Sequence, residues 1–147
     1  MSAMANDEQR GAGTVTLRVL SPRGLLVEAD VASVTLPGLD GDFTVLLDHH
    51  ETVAQLRSGV AGYTANGTNR YLSIHGGVAT IRDDQVEVLS PACERPEDID
   101  EQRARDAHRR AKERVAERER ETDMARAQAA LNRALTRIEV LRLSRNE

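Results

Sequence analysis

Tryptophan is absent from this sequence, and Phe43, Tyr63 and Tyr71 are its only phenyl-type rings. Single-stranded nucleic acid needs flat side chains on which bases stack, so that partner is excluded first. Cysteine is nearly missing as well. Cys93 stands alone, which rules out an intramolecular disulfide and suits a reducing compartment. No apolar run approaches the ~20 residues of a membrane-spanning helix, and the N-terminus carries no basic-then-apolar export pattern. A strong charge of one sign is lacking too: residues 1–96 hold 7 basic and 12 acidic residues, and residues 97–147 hold 13 and 12. The second stretch is densely charged yet almost neutral, which fits solvated helix faces laced with ion pairs better than a DNA-binding arm.

The most informative absence is positional. All 10 glycines fall between Gly11 and Gly77, and the last of the 4 prolines is Pro96. Glycine and proline punctuate turns, so their disappearance marks a change from many short elements to a few long ones. The boundary falls in Pro91–Pro96. It divides the chain into a disordered leader over 1–13, a β domain over 14–93 and a helical domain over 94–147.

The first part reads as strands. Val15, Leu17 and Val19 alternate with Thr16, Arg18 and Leu20 at a period near two. Further runs are Leu25–Ala29, Val31–Leu36, Phe43–Leu47, Val60–Ala65, Arg70–His75, Val78–Arg82 and Gln85–Leu89, with Val53–Leu56 either a strand or one helical turn. Asn66-Gly67 is a strong hairpin signal, because both residues tolerate positive φ. Nine or ten short strands at this spacing predict a β-sandwich or barrel.

The second part reads as an antiparallel pair of helices. Met124, Ala127, Leu131, Ala134, Ile138 and Leu141 recur at steps of three and four, one apolar stripe. Ala104, Ala107, Ala111 and Val115 make a thinner stripe upstream. Pro96, Glu97 and Asp98 suit the entry to the first helix, and Thr122-Asp123 a cap between the two. An alanine seam lets helices approach closely but buries little apolar area, so the hairpin is expected to be weakly held and separable from its partners.

At 100° per residue, Arg103 and Arg110 lie roughly 90–105° from the first seam, and Arg133 and Arg137 roughly 90–130° from the second in the same rotational sense. In an antiparallel pair turning near Glu121, equal offsets bring both groups to one flank. Arg110 then faces Arg133, and Arg103 faces Arg137. Converging guanidinium groups repel unless an anion joins them, and their fork matches phosphate. The flank is therefore either a polyphosphate site, a nucleotide being the natural ligand, or a solvated face neutralised by Glu113 and Glu117.

No catalytic constellation emerges. His49-His50, between Asp48 and Glu51, lack metal-ligand spacing and read as an exposed loop. His75 reads as a strand-end residue, His108 as solvated and Cys93 as structural. Gly38–Gly41 lacks the Lys-Ser/Thr of a phosphate loop, and Ser73 is not in a nucleophile elbow.

With these residues in view, the chain resembles the epsilon subunit of bacterial F-type ATP synthases from about Val15 to Leu143. Residues 17–43, with the Pro37-Gly38-x-x-Gly41-Asp42-Phe43 loop, are similar to that family's opening β pattern. Residues 72–100 are similar to its glycine-glycine hairpin and the strand leading to the helices. Ile99-Asp100-Glu101-Gln102-Arg103-Ala104 resembles the I/L-D-x-x-R-A motif of ATP-binding members, and Arg133-Ala134-Leu135-Thr136-Arg137 the R-A-x-x-R segment of the second helix. The resemblance implies a sandwich of about ten strands, a two-helix C-terminal domain and no catalysis by the chain itself. It implies a place in the central stalk, touching the gamma subunit, the c-ring and, through extended helices that inhibit hydrolysis, the alpha/beta catalytic head. The location it implies is peripheral, on the cytoplasmic face of the bacterial membrane. It implies ATP as a regulatory ligand that keeps the hairpin folded, without metal. Glu94, Ile99, Asp100, Arg103 and Ala104 would be nucleotide contacts, Arg110, Arg133 and Arg137 phosphate contacts, and Asp42 and His49 would face the c-ring. One segment departs: where the family has F-G-V-L-P-G-H-A-P, this chain has Phe43 to Glu51 without either glycine, either proline or the alanine. Two other readings stay open. One is a stand-alone nucleotide-sensing adaptor that binds a partner through the Met124–Leu141 stripe. The other is a hydrolase using His49 and Asp48.

Overall fold

The computed structural model describes residues 13–117 and 121–146. It shows eight strands: β1 (Val15–Ser21), β2 (Gly24–Val31), β3 (Ser33–Gly38), β4 (Gly41–Val45), β5 (Thr52–Ala65), β6 (Thr68–Arg82), β7 (Gln85–Leu89) and β8 (Cys93–Glu94). A 3-10 turn over Pro96–Asp98 leads to helix α1 (Glu101–Glu117), and α2 (Glu121–Arg145) follows. The class is the expected one, a β-sandwich followed by two C-terminal helices.

The strands form one continuous ladder in the order β2-β1-β7-β6-β5-β3-β4, with β8 added alongside β6. All neighbours are antiparallel except β1 and β7. The ladder curls on itself: the Ala32 N–H donates to the Thr64 carbonyl at 2.8 Å, joining the β2–β3 connection to β5. The inward residues of β1 to β7 then share one core. Leu17, Val19, Val31, Leu36, Val45, Leu72, Ile74, Ile81 and Val88 are all buried in it.

Strand number is where sequence and structure part. The runs Val53–Leu56 and Val60–Ala65 are pieces of the single strand β5, and Arg70–His75 and Val78–Arg82 are pieces of β6. The glycines between the runs bend the strands without ending them. Gly77 has φ +119, and a Cβ there would lie 2.2 Å from the Leu89 carbonyl oxygen. The position therefore admits β7 against a kinked β6 only because it has no side chain. The Asn66-Gly67 hairpin is present as expected, with φ of 53 and 74 and Ala65 paired with Thr68.

The helices pack as an antiparallel pair whose inner faces carry the expected small residues. Ala104 and Ala111 of α1 and Ala127, Ala134 and Leu141 of α2 are buried. Ala107, Val115, Met124, Leu131 and Ile138 are half-buried beside them. The pair lies against the sandwich through α2. Ile99, Ala104, Val140 and Leu141 form a second apolar cluster, packed on Val60 of β5 and Tyr71 of β6. Two boundaries shift. Pro96–Asp98 form a separate turn, and α1 begins only at Glu101, where Asp100 Oδ1 accepts the Arg103 N–H at 3.1 Å as an N-cap. Thr122 and Asp123, expected between the helices, fall within the helical backbone of α2, which runs from Glu121. Residues 118–120, next to the turn expected near Glu121, and residues 1–12 of the leader expected over 1–13 lie outside the described residues.

Candidate functional site

Where α1, α2 and β8 meet, they enclose a cup of about 270 Å³. Its walls are Glu94, Asp98, Asp100, Arg103, Ala104, Ala107, Arg110 and Arg137. The helical period delivers Arg103, Ala107 and Arg110 to one side of α1, and the close seam at Ala104 brings Arg137 of α2 across to them. Three of the four arginines expected on one flank thus converge. Arg133 does not line the cup. It lines a neighbouring hollow of about 580 Å³ between the helices, with Arg114, Glu117, Asp123 and Arg126.

The anchor of the cup is Glu94. It sits in β8, paired with Ser73 of β6. A single carboxylate oxygen, Oε1, receives the Arg137 Nε–H at 2.8 Å and the Ser73 hydroxyl at 3.0 Å, and lies 3.1 Å from Nε2 of His75. Burial pushes this carboxyl up. The hydrogen bonds from His75, Arg137 and Ser73, with the Arg137 charge, outweigh burial and hold it down at about 2. The two supporting side chains are themselves enclosed: Ser73 is 0% and His75 8% exposed. Nδ1 of His75 lies 3.5 Å from the Ser58 hydroxyl of β5.

The remaining carboxylates of the cup are also engaged. Asp98 accepts the Arg95 Nε–H at 3.1 Å, and Asp100 caps α1. By contrast, the guanidinium groups of Arg103 and Arg110 make no ion pair among the described residues. Arg137 is gripped through Nε, which leaves its terminal amino groups to the cup. Glu113 has no ion pair among the described residues, and Glu117 lines the other hollow, so neither is paired with an arginine of the cup. The result is a concave site that presents uncommitted guanidinium donors from two helices.

The other expected site residues fall as follows. Ile99 is buried under the cup in the apolar cluster against Val60 and Tyr71. Asp42 forms an ion pair with Arg57 at the rim of a groove of about 800 Å³ between α2 and the β3–β5 surface. His49 follows β4, stacked on His50 with ring centroids 4.6 Å apart, its Nδ1 2.7 Å from the His50 carbonyl oxygen. Asp98, Ser73 and His75 are the site residues that sequence reasoning missed. Ser73 and His75 alternate with the core residues Leu72 and Ile74, the pattern of a strand with one solvated face. That face is covered by β8 and α2, which no local pattern in β6 reveals. Among the described residues no cluster of histidine, cysteine and carboxylates could hold a metal ion.

A second clasp lies at the open end of the hairpin. Glu101 at the start of α1 accepts the Arg105 Nε–H at 3.1 Å and is ion-paired with Arg145 at the end of α2. These two arginines hold its carboxyl down at about 2.

Residues 14–96 match the family model "ATP synthase, Delta/Epsilon chain, beta-sandwich domain", and residues 97–142 match "ATP synthase, Delta/Epsilon chain, long alpha-helix domain". The ATP synthase epsilon chain of Nitratidesulfovibrio vulgaris is 42% identical over 124 residues, which cover 84% of this chain and 92% of that one. The epsilon chain of Bacillus velezensis is 36% identical over 127 residues, 86% of this chain and 96% of its own length. Among solved structures, a chain of the Euglena gracilis mitochondrial ATP synthase OSCP/F1/c-ring assembly superposes with a TM-score of 0.74 at 23% identity, covering 92% of this chain and 83% of that one. A chain of the Tetrahymena thermophila mitochondrial ATP synthase central stalk and c-ring gives 0.57 at 9% identity, covering 86% and 95%.

Proposed function

The chain belongs to the ATP synthase delta/epsilon family, as one of its epsilon chains, and from that membership we propose a stalk subunit whose helical hairpin is an ATP-sensitive regulator of hydrolysis. It is a non-catalytic subunit of the ATP synthase central stalk. In this reading it couples rotation to synthesis by bridging the gamma subunit and the c-ring. It is held at the cytoplasmic face of the membrane through the complex; no described helix is long and apolar enough to cross a bilayer. The Asp42 turn and the His49 segment face the c-ring.

The observation that carries the regulatory reading is the cup. Its arginines come from both helices, so an anion bound across Arg103, Arg110 and Arg137 is bound only while the hairpin is closed on the sandwich. A ligand shifts an equilibrium only by its differential affinity for the two states, and a site split between two separable elements provides that difference. The cup accommodates a phosphate chain. The adjoining hollow of about 440 Å³, which shares Glu94 and Asp98 and is walled by Leu25, Leu26 and Cys93, leaves space beside it for the rest of a nucleotide. Released, the arginine-rich helices would reach carboxylates of the catalytic head and block hydrolysis.

Millimolar ATP is expected to raise the melting temperature of the purified chain, and Arg103→Ala to abolish the rise. A wild-type protein whose melting is indifferent to ATP would remove the nucleotide ligand and leave the stalk role intact. Co-purification separates this role from a free-standing adaptor: recovery with gamma and the catalytic subunits is the stalk outcome.

A further inference from the structure

Glu94, the carboxylate that orients Arg137, is itself held from below. Its Oε1 lies 3.1 Å from Nε2 of His75, and the His75 side chain is enclosed in the sandwich beneath β8. The groups that face this imidazole are few. β8 presents Glu94, and across the shared oxygen α2 presents Arg137. β5 presents the neutral Ser58 hydroxyl at 3.5 Å from Nδ1, and β6 presents the neutral Ser73 hydroxyl, which donates to the same Oε1. An imidazole with one charged neighbour of each sign, joined through one oxygen, can change the charge at the floor of the cup without moving a helix.

Resting on the nucleotide reading above, we infer that His75 is a positioning residue which sets the anion affinity of the cup through Glu94 and makes that affinity rise as pH falls. With His75 neutral, Nε2–H donates to Glu94, and the Ser73–His75–Glu94–Arg137 cluster carries one negative and one positive charge. Glu94 then spends its charge on Arg137. A proton on His75 turns the imidazole into a second cation on the same oxygen. Glu94 divides its charge between two partners, the Arg137 guanidinium is freer to turn its fork to a phosphate, and the cluster becomes net positive under the anion. Both effects favour a polyphosphate, so by reciprocity a bound polyphosphate favours the proton on His75.

The test is ATP binding by the full chain, measured by calorimetry between pH 8 and pH 6, in the wild type and in His75→Gln. Glutamine keeps a neutral N–H donor at the place of Nε2 and cannot take up a proton. Titration of the ATP phosphates themselves is common to both proteins and cancels in the comparison. The wild type is expected to gain at least threefold more affinity over this range than His75→Gln. Equal profiles with binding intact overturn the role of His75 and leave the nucleotide site standing. No ATP binding by the wild type at either pH overturns both. Should His75→Gln not fold, the chemical-shift titration of the His75 Cε1–H in the wild type decides: it is expected to move to higher pH when ATP is bound, and an unmoved titration overturns the inference.

Discussion

Glu94 illustrates how much of a fold can rest on one oxygen atom. Its three donors come from β6 and α2, so this residue ties the sandwich to the hairpin more directly than any apolar contact between them. Replacing it with Ala leaves His75 Nε2 without its partner in a closed space, and leaves Ser73 only its longer bond, 3.4 Å, to the backbone carbonyl of residue 94. Stranding buried polar groups costs about 1–3 kcal/mol each. Glu94→Ala is therefore expected to lower the urea midpoint of the chain, whereas Glu139→Ala, which loses only a half-exposed pair with Arg142 on the same helix, is not. The same carboxyl gives a pH signature. Held at about 2 in the folded chain against an ordinary 4.5, it contributes stability that is fully present above pH 4.5. That contribution fades as pH falls toward 2, because the unfolded chain takes up the proton first. Denaturation curves at pH 6 and pH 3 are expected to differ less in Glu94→Gln than in the wild type. Gly77 is the other residue on which the fold depends sharply. Gly77→Ala sets a methyl against the Leu89 carbonyl at a positive φ, and a loss of roughly 1–3 kcal/mol or more is expected.

Single elements show where sequence reasoning reaches and where it stops. The α2 stripe was legible because a 25-residue helix repeats its period many times, and alanines at 104, 111, 127 and 134 do fill the seam. Arginine placement by rotation succeeded for Arg103, Arg110 and Arg137. It failed for Arg133, which is one helical turn nearer the 118–120 end and faces the wider hollow there. Strand count was misread for a different reason: glycine marks both turns and bends, and only cross-strand register distinguishes them. Glu94 was read from a motif and not from pattern, since a two-residue strand has no period. The docking of the hairpin also has a prediction of its own. Ile99, Val140 and Leu141 are the largest side chains buried in the cluster that packs on Val60 and Tyr71. Ile99→Ala removes several buried methylene equivalents, a change that typically costs ~2–5 kcal/mol in a core. By amide hydrogen exchange, α1 and α2 are expected to lose protection while β1, β6 and β7 keep theirs, since the sandwich core lies apart from that cluster.

At the scale of the whole molecule, the chain joins two modules of unequal strength. The sandwich has a broad core of branched side chains. The hairpin has alanines, one small apolar patch and two carboxylate clasps, at Glu94 and Glu101. That asymmetry supports the proposed regulatory role, in which the element that moves is the more weakly held one. The compact form has an expected radius of gyration of about 15 Å for a chain of this length, and α2 alone spans about 38 Å at 1.5 Å per residue. Small-angle scattering is therefore expected to report expansion when both clasps are cut, in Glu94→Ala with Arg145→Ala, and recompaction by ATP only while Arg103 is present.

Of the donors on Glu94, two belong to the sandwich and one to the hairpin. If the hairpin swings away, only the Arg137 bond is lost, and Ser73 and His75 go on holding the carboxylate in place. The strike plate stays mounted when the door opens. Cutting the bolt, by Arg137→Ala, should therefore quicken departure far more than it slows return when opening and closing are followed without ATP.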